Sequence, residues 1–318
     1  MRAADGARGG IPPGAGVAGP WSLRWSGGRH GWRHRSDGGF DRARYEVLAI
    51  PEALARAFVA RHHYSRRFPA ARLRYGLVHT GLDPEQVPGC GVLDGRPLVG
   101  VAVLGVPMHP AVLTRPFPGL ESAEAVELSR FVLLDGDVAP GNSESFFVAR
   151  VLALAAGAGI RGVVSFCDPV PRFRADGTMV FPGHVGTAYQ AAGALYTAAR
   201  GTPRTLLIGP DGSVFSERAA QKIRRAEQGW RYAVEQLVGW GAEAPADGPS
   251  AAWLARAVEQ AGLRRLRHPG NHRFLWRCGR SRAERSRVQV ALATAPYPKR
   301  GGPEALGAPA GSRQLVLT

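Results

Sequence analysis

Two histidines, a tyrosine and a serine stand together between arginines in the stretch A-R-H-H-Y-S-R-R-F, residues 60–68. A buried helix disfavours such a cluster, and a disordered tail would not surround it with aliphatic residues. Imidazole and phenol groups transfer protons, and imidazole also binds metals. Adjacent helical residues point about 100° apart, so the two histidines face different directions. We predict that His63 and Tyr64 face a cleft, whereas His62 is structural or faces outward.

Three further residues with this chemistry lie downstream. Asp168 ends the apolar run V-V-S-F-C-D-P, a predicted strand, and ligand sites of α/β sheets collect at such strand ends. His184 stands at a glycine-flanked helix start, and Tyr189 lies one turn further along. Asp168 is a candidate general base or metal ligand, His184 a candidate acid, base or ligand, and Tyr189 a hydroxyl donor or stacking ring. The structural alternatives are an Asx turn at Asp168, a surface histidine and a core tyrosine.

Hydrophobic periodicity predicts the elements that position these residues. A helix following Pro51 ends at the two histidines, with an apolar face formed by Ala53, Leu54, Ala57, Phe58 and Val59. Strands are predicted at 73–78, over P-L-V-G-V-A-V-L-G-V and at 126–134, followed by a long helix and the strand that leads to Asp168. This alternation predicts an α/β fold, with one central sheet flanked by helices.

The turn D-G-D-V-A-P-G-N-S-E-S links the strand of Arg130 to the long helix. A helix start presents free N–H groups and a positive dipole end, which suits a pyrophosphate; a capped helix without a ligand is the alternative. Ser143 is a candidate N-cap, and Ser143, Glu144 and Ser145 can cap the helix, bind a cofactor, or both. Arg130, in an apolar strand, needs an anionic ligand or a carboxylate, for which Glu127 and Glu144 are the candidates.

The chain is strongly basic, with a formal net charge of +16, and of its 41 basic residues only Lys222 and Lys299 are lysines. Such a charge indicates an anionic partner such as nucleic acid, although an arginine-rich composition also arises from a GC-rich genome. Three scattered cysteines predict neither a disulfide framework nor a zinc site and favour a reducing cytoplasm. The sequence shows no membrane-spanning run, so we expect a cytoplasmic protein without a membrane partner.

Composition divides the chain into three parts. Residues 1–44 are rich in glycine and arginine and are predicted to be a disordered basic arm, or an over-long start. Residues 45–293 form the predicted catalytic domain, whose C-terminal part is basic. Residues 294–318 are predicted to be a flexible tail rich in proline and glycine.

Arginines mark the candidate DNA-binding surface. Between residues 256 and 287 there are ten arginines and two glutamates, and a predicted amphipathic helix lies upstream at 221–240. Phosphate contacts are predicted for Arg66, Arg67, Lys222, Arg224, Arg225, Arg231, Arg273 and Arg277. A base within duplex DNA reaches a catalytic cleft only when flipped out, and Phe68, Tyr189 and Trp230 are candidates for stacking on it, or for core packing.

An ordered series of motifs resembles the bacteriophage Mom DNA-modification proteins, divergent members of the GNAT acyltransferase superfamily. The motifs are H-H-Y-S (62–65), E-L-S-R-F-V-L (127–133), N-S-E-S-F (142–146), V-V-S-F-C-D-P (163–169), G-H-V-G-T-A-Y-Q-A (183–191) and N-H-R-F (271–274), within roughly residues 45–278. The resemblance implies an enzyme that adds a carbamoylmethyl-type group to the N6 amine of adenine in DNA, which protects phage DNA from host restriction.

The resemblance also implies a single GNAT-like domain with a central mixed, splayed sheet. The strands of Phe131 and Phe166 part, and an acyl-CoA lies between them with its pyrophosphate at the next helix start. The cofactor residues are then Arg130, Phe131, Val132, Leu133, Ser143, Glu144 and Ser145. An iron requirement associated with the family makes His63, Asp168 and His184 candidate metal ligands.

Several alternatives stay open at this point. The usual acyltransferase turn, Arg/Gln-x-x-Gly-x-Gly/Ala, is absent from D-V-A-P-G-N-S-E-S, so the donor is acetyl-CoA, another acyl-CoA or neither. A GNAT enzyme acting on a protein amine, tRNA or small molecule is a second hypothesis, and a noncatalytic nucleic-acid-binding protein is a third. The expected partners are double-stranded DNA and an acyl donor, and a homodimer is compatible with the sequence.

Overall fold

The computed structural model describes residues 21–34 and 38–298. These residues fall into two compact units, one comprising the chain up to 169, 184–200 and from 271 onward, the other comprising 170–183 and 201–270. The strands are β1 (Trp21–Ser26), β2 (Arg29–His34), β3 (Tyr45–Ala49), β4 (Ala71–His79), β5 (Gly91–Leu93), β6 (Arg96–Gly105), β7 (Ala125–Leu133), β8 (Gly162–Cys167), β9 (Arg172–Phe173), β10 (Met179–Phe181), β11 (Leu195–Tyr196), β12 (Arg204–Ile208), β13 (Val214–Phe215), β14 (Arg264–His268) and β15 (His272–Arg277). The helices are α1 (Glu52–His62), α2 (Ala111–Thr114), α3 (Ser143–Gly157), α4 (Thr187–Ala191), α5 (Glu217–Arg224), α6 (Arg231–Val238), α7 (Ala251–Gln260) and α8 (Arg282–Arg287).

The first unit is built on an eight-stranded sheet in the order β11-β15-β8-β7-β6-β4-β3, with β5 beside β6. The β7–β8 pair is parallel and the other pairs of this sheet are antiparallel. Strand β6 is buried from Pro97 to Gly105, as a continuous apolar run in the middle of a sheet requires. The predicted α/β class, with a central mixed sheet and flanking helices, is confirmed.

Pairing between β7 and β8 covers only part of both strands. It runs from Ala125–Gly162 to Leu128–Ser165, whereas β7 continues to Leu133 and β8 to Cys167. On its other side β7 contains a bulge, because Arg130 pairs with Val103 and Leu128 with Leu104. Ser129 is therefore an extra residue, and bulges of this kind redirect side chains beside functional sites. A gap opens between β7 and β8 next to this bulge.

Residues 21–34, which the sequence assigned to a disordered arm, form the antiparallel hairpin β1–β2. Gly27 and Gly28 connect the strands with φ values of +56° and +74°, the positive values that a tight two-residue hairpin turn requires. Arg24 and Trp25 are buried, at 2% and 8% exposure. Burial of these two side chains explains why a basic, glycine-rich segment is folded here. Residues 1–20 and 299–318, also predicted to be disordered or flexible, lie outside the described residues.

Two helices of the first unit differ from the predictions, α1 in its buried face and α3 in its N-cap. The buried face of α1 consists of Ala55, Phe58, Val59 and His62, while Ala53 and Ala57 are exposed. The face is thus rotated toward positions i, i+3, i+4 and i+7, which makes His62 an inward residue. Helix α3 has Asn142 as its N-cap, with a φ of +77°, and Ser143 is its first residue instead of its cap.

The second unit contains the antiparallel sheet β13-β12-β14 and helices α5 to α7. The helix predicted over 221–240 is two helices, because Ala226 adopts a left-handed φ of +47° and ends the first. Ile223, Val234 and Leu237 belong to its core, together with Trp253. Among the residues that the structure describes, no helix has the length and apolarity needed to cross a bilayer.

Candidate functional site

A cavity of about 110 Å³ lies where β7 and β8 part. A water molecule needs roughly 10–15 Å³ of such volume, so the cavity admits roughly seven to eleven water-sized groups, comparable to the ten heavy atoms of one purine base. Six elements of the first unit and their adjoining loops line it, through Leu23, Arg24 and Trp25 of β1, His63 and Tyr64 after α1, Leu128, Ser129, Phe131, Val132 and Leu133 of β7, Glu144 of α3 and Phe166 of β8, together with His184, Gly186, Thr187, Ala188 and Tyr189 around the start of α4.

His63 caps the C-terminus of α1 and is buried, at 6% exposure. The backbone N–H of Ser65 donates to its Nδ1 at 3.1 Å, and the Ser65 hydroxyl lies 2.9 Å from the same atom. Because Nδ1 accepts, the proton of the neutral ring is on Nε2. Burial, with the charges of Arg130 and His184, lowers the pKa of His63 to about 3. His63 is therefore a neutral hydrogen-bond donor at neutral pH and a weak base.

His62 has a different role from its neighbour. Its ring accepts the Gly27 backbone N–H at Nδ1 and donates from Nε2 to the carbonyl oxygen of Gly89. It therefore fastens α1 to the β1–β2 turn and to the loop before β5. The predicted structural role of His62 agrees with these two bonds, whereas an outward position does not.

Tyr64 extends the aromatic wall of the cavity. Its ring centroid lies 4.3 Å from that of His63 and 5.1 Å from that of Trp25. Trp25 was not among the predicted site residues, because the basic, glycine-rich composition of residues 1–44 favoured a disordered arm. Two aromatic rings from separate segments thus line one side of the cavity.

Tyr189 is buried at 7% exposure, with the rings of Phe131, Phe274 and Trp276 around it. Burial raises the pKa of Tyr189 well above its usual range, with a smaller contribution from the nearby Cys167. The phenol thus stays protonated and available as a donor. Its ring faces are occupied by neighbours, so core packing, and not base stacking, describes this tyrosine.

The start of α4 brings His184 to the cavity. The His184 backbone N–H donates to the carbonyl oxygen of Asp168 at 2.8 Å, so the end of β8 positions this histidine through its backbone. Gly186 has a φ of +73°, and an added Cβ would lie 2.6 Å from the Phe274 ring. A glycine is therefore required here. Asp168 itself is half-buried and does not belong to the cavity lining.

The candidate metal ligands do not belong to a cluster of metal-binding side chains among the described residues. Within residues 21–34 and 38–298, no three His, Cys, Asp or Glu side chains lie close enough to hold a metal ion together. In addition, Nδ1 of His63 already accepts the backbone N–H of Ser65, so this atom is not open to a metal ion. The candidates His63, Asp168 and His184 therefore do not fit an iron site.

The side chain of Arg24, a residue of β1, lies against the loop that precedes α3. It donates to the carbonyl oxygens of Leu134, Ala139 and Pro140 at 2.8 to 3.1 Å and forms an ion pair with the buried Glu144 carboxylate. The partner of Glu144 is thus Arg24 and not Arg130. The three carbonyl groups of this loop and the Glu144 carboxylate are thus bonded to the Arg24 guanidinium inside the protein.

Ser143 and Ser145, the other predicted cofactor ligands at this helix start, also bond to the loop. The Ser143 hydroxyl donates to the Pro140 carbonyl oxygen at 2.7 Å, and the Ser145 hydroxyl donates to that of Asn142 at 3.0 Å. Ser143 has no exposed surface. These hydroxyl groups stabilise the turn into α3 and are not directed at an external ligand.

Replacement of Arg24 by methionine should lower the free energy of unfolding by about 3–5 kcal/mol, because Glu144 then stays buried without its cation. The double variant Arg24→Met with Glu144→Leu removes both charges and should recover much of this loss. Urea unfolding followed by tryptophan fluorescence measures both. Arg56→Met is the control, since its pair with Glu52 is exposed and contributes under about 1 kcal/mol. A loss as small as the control's in Arg24→Met would contradict the buried pair.

Arg130 holds the bulge of β7 in place. Its Nε donates to the carbonyl oxygen of Arg67 at 2.9 Å, and a terminal nitrogen donates to that of Ser129 at 2.6 Å. Burial lowers the pKa of Arg130, while Tyr64 and Glu127 raise it. Arg130 therefore connects the segment after α1 to the bulge, and it is not a lining residue.

Glu127, two residues before the bulge, is the functional candidate that sequence reasoning missed. The sequence indicated Glu127 only as a candidate ion-pair partner of Arg130. Burial raises the pKa of Glu127, and the charge of Arg130 opposes this to a smaller extent. Glu127 also contributes to the raised pKa of Tyr189, which lines the cavity. A carboxylate with a raised pKa is a candidate proton acceptor, and Glu127, although it does not line the cavity, lies near enough to Tyr189 to affect its pKa.

The arginines and the lysine predicted to bind DNA lie in both units. In the first, Arg66 and Arg67 are exposed after α1, Arg277 is exposed at the end of β15, and Arg273 lies 5.6 Å from the Phe166 ring. In the second, the exposed Arg224, Arg225 and Arg231 and the half-buried Lys222 lie on or next to α5 and α6. Arg224 already pairs with Glu217 at 2.8 Å.

Known families were compared with the whole chain. A family model described as the Mom protein family matches residues 44–299, which is most of the chain. The hairpin β1–β2, with its lining residues Leu23, Arg24 and Trp25, precedes the matched range. No curated protein matches the chain.

Proposed function

We propose that this chain, which belongs to the Mom protein family, adds a carbamoylmethyl-type group to the N6 amine of adenine in DNA. The observation that carries the proposal is the convergence of His63, Tyr64, His184 and Tyr189 on one cavity at the gap between β7 and β8. They come from the end of α1 and the start of α4, more than a hundred residues apart in the sequence. Protection of phage DNA from host restriction is the proposed consequence.

Transfer to N6 requires three events. A bond forms between N6 and a carbon of the donor, the bond from that carbon to its leaving group breaks, and N6 loses one proton. Tyr189 and the Nε2–H of His63 are neutral donors that can stabilise negative charge developing on the transferred group. Glu127 lies outside the cavity lining and accepts the proton through water, and its raised pKa makes it a stronger base than an exposed carboxylate.

The gap between β7 and β8 supports the GNAT relationship, since it separates the strands of Phe131 and Phe166 that the resemblance expects to part. An acyl-CoA that reacts at its carbonyl carbon would give an N6-acyl adenine, whereas a carbamoylmethyl group bonds to N6 through its methylene carbon, so its donor must carry the leaving group on that carbon. The cavity lining of Phe131, Val132 and Leu133 suits the apolar arm of an acyl-CoA.

Duplex DNA is the proposed acceptor. The target adenine leaves the base stack to reach the cavity, where Tyr64 and Trp25 offer aromatic surface. Phosphate contacts are assigned to the exposed arginines, foremost Arg66 and Arg67 beside α1.

Nucleoside mass spectrometry tests the proposal. Genomic and plasmid DNA from cells expressing the protein should contain a fifth nucleoside, a deoxyadenosine that carries the added mass on N6. The same cells expressing Tyr189→Phe, which keeps the packed ring and removes the hydroxyl, should contain at least about tenfold less. Only the four ordinary nucleosides, from cells with soluble protein, would refute the function. Acyl-CoA turnover by the purified protein without DNA would instead favour a different acceptor.

A further inference from the structure

A short loop with an exposed apolar tip follows β6. Residues 106–110 read V-P-M-H-P, and Met108 is 95% exposed while Val106 is 59% exposed. Single exposed apolar residues are ordinary on protein surfaces. Here, however, prolines at 107 and 110 restrict the backbone on both sides of Met108, so the tip is presented by a stiffened loop.

The loop begins beside the cavity. Gly105, the last residue of β6, packs against the bulge so closely that an added Cβ would lie 2.8 Å from the Ser129 hydroxyl oxygen. Ser129 lines the cavity. Met108 is three residues further along the chain, which an extended backbone spans in roughly 10 Å. The tip therefore lies within reach of a nucleotide next to one whose base occupies the cavity.

Positively charged side chains lie near the Met108 tip. The Val106 backbone N–H donates to the Ala70 carbonyl oxygen, so residues 66–70 and 106–110 leave the same end of the sheet side by side. The first of these segments carries the exposed Arg66 and Arg67, and exposed Arg115 follows α2 directly after the loop. An apolar tip beside cationic side chains is the arrangement that proteins use to enter a base stack while holding the backbone.

We propose that Met108 inserts into the base stack of duplex DNA and fills the space that the target adenine leaves when it enters the cavity. This inference rests on the proposed function, since it assigns a residue to the extrusion of the base. Methionine suits the role because its unbranched, polarisable side chain adapts to an irregular apolar space. Met108 is a positioning residue for the DNA and takes no part in the transfer step.

A duplex with one 2-aminopurine in place of adenine, prepared in several flanking contexts, tests this without any donor. The fluorescence of 2-aminopurine is quenched by stacking and rises on extrusion. Full-length wild-type protein should raise it, whereas Met108→Ala should raise it roughly tenfold less, because nothing then replaces the lost stacking. Met108→Leu should restore the signal. Val92→Ala, which trims an exposed apolar residue at the opposite end of β6, should behave as wild type.

Fluorescence anisotropy of an end-labelled duplex accompanies each variant. Phosphate contacts dominate affinity, so Met108→Ala should bind within roughly threefold of wild type. A signal from Met108→Ala equal to wild type would overturn the inference, as would wild-type protein that binds without extrusion or does not bind the duplex. Failure of the proposed function appears separately, as unmodified cellular DNA alongside Met108-dependent extrusion.

Discussion

His63→Ala should reduce the modified nucleoside by at least about 10²-fold, whereas His62→Ala should mainly destabilise the protein. The two residues are adjacent, but only His63 lines the cavity. Its Nε2–H is available to the transferred group, because Ser65 holds Nδ1. His62 instead bonds to Gly27 and Gly89, so its loss should cost about 1–3 kcal/mol of folding free energy.

Two measurements separate these effects. Nucleoside mass spectrometry gives the activity of each variant in cells, and urea unfolding of the purified proteins gives their stability. A His62→Ala variant that still folds at the assay temperature should retain most of its modification. Equal activity in His63→Ala and wild type would remove His63 from the transfer step.

The pH dependence of stability gives His63 a second test. Its pKa is lowered from 6.5 to about 3, so the folded protein keeps the ring neutral while the unfolded chain becomes protonated below 6.5. A depressed pKa of this kind stabilises the fold above pH 6.5, and the contribution is lost as the pH falls toward 3. His63→Ala should therefore lose less stability than wild type between pH 6.5 and 4.

Local patterns predicted the part of the site that depends on single elements. The apolar period before His63 predicted a helix that ends at the cavity, and the glycines around His184 predicted a helix start there. Each of these signals lies within a short stretch of consecutive residues, so it can be recognised without knowing the fold. His63, Tyr64, His184 and Tyr189 line one cavity, and the Asp168 carbonyl oxygen accepts the His184 backbone N–H, while the chemical roles of these residues stay predictions.

The rest depends on contacts between distant parts of the chain. The pair of Arg24 and Glu144 joins residues 120 positions apart, and the raised pKa of Glu127 arises from burial that only the assembled sheet creates. The β1–β2 hairpin did carry a local signal, since W-S-G-G-R places two glycines between alternating residues. The basic composition of this segment nevertheless favoured a disordered arm. The hairpin is folded because Trp25 is buried against the rest of the unit, which the local sequence does not indicate.

Glu127→Gln should lower the modification rate by about 10²- to 10³-fold and, at the same time, stabilise the protein at neutral pH. The raised pKa of Glu127 means that the fold favours its neutral form. Such a group contributes its full stability below the unfolded pKa of 4.5, and the contribution is lost as the pH rises through the folded pKa. Glutamine imitates the neutral form at every pH, so the variant avoids that loss but has no base to accept the N6 proton.

Opposite changes in activity and stability distinguish this role from a structural one. Thermal unfolding of wild type and Glu127→Gln at pH 4 and pH 7.5 should show the variant's advantage only at the higher pH. Glu121→Gln, at an exposed position before β7, is the control and should change neither quantity. If Glu127→Gln lost stability at pH 7.5, the carboxylate would be a structural partner of Arg130, and the N6 proton would have to leave by another route.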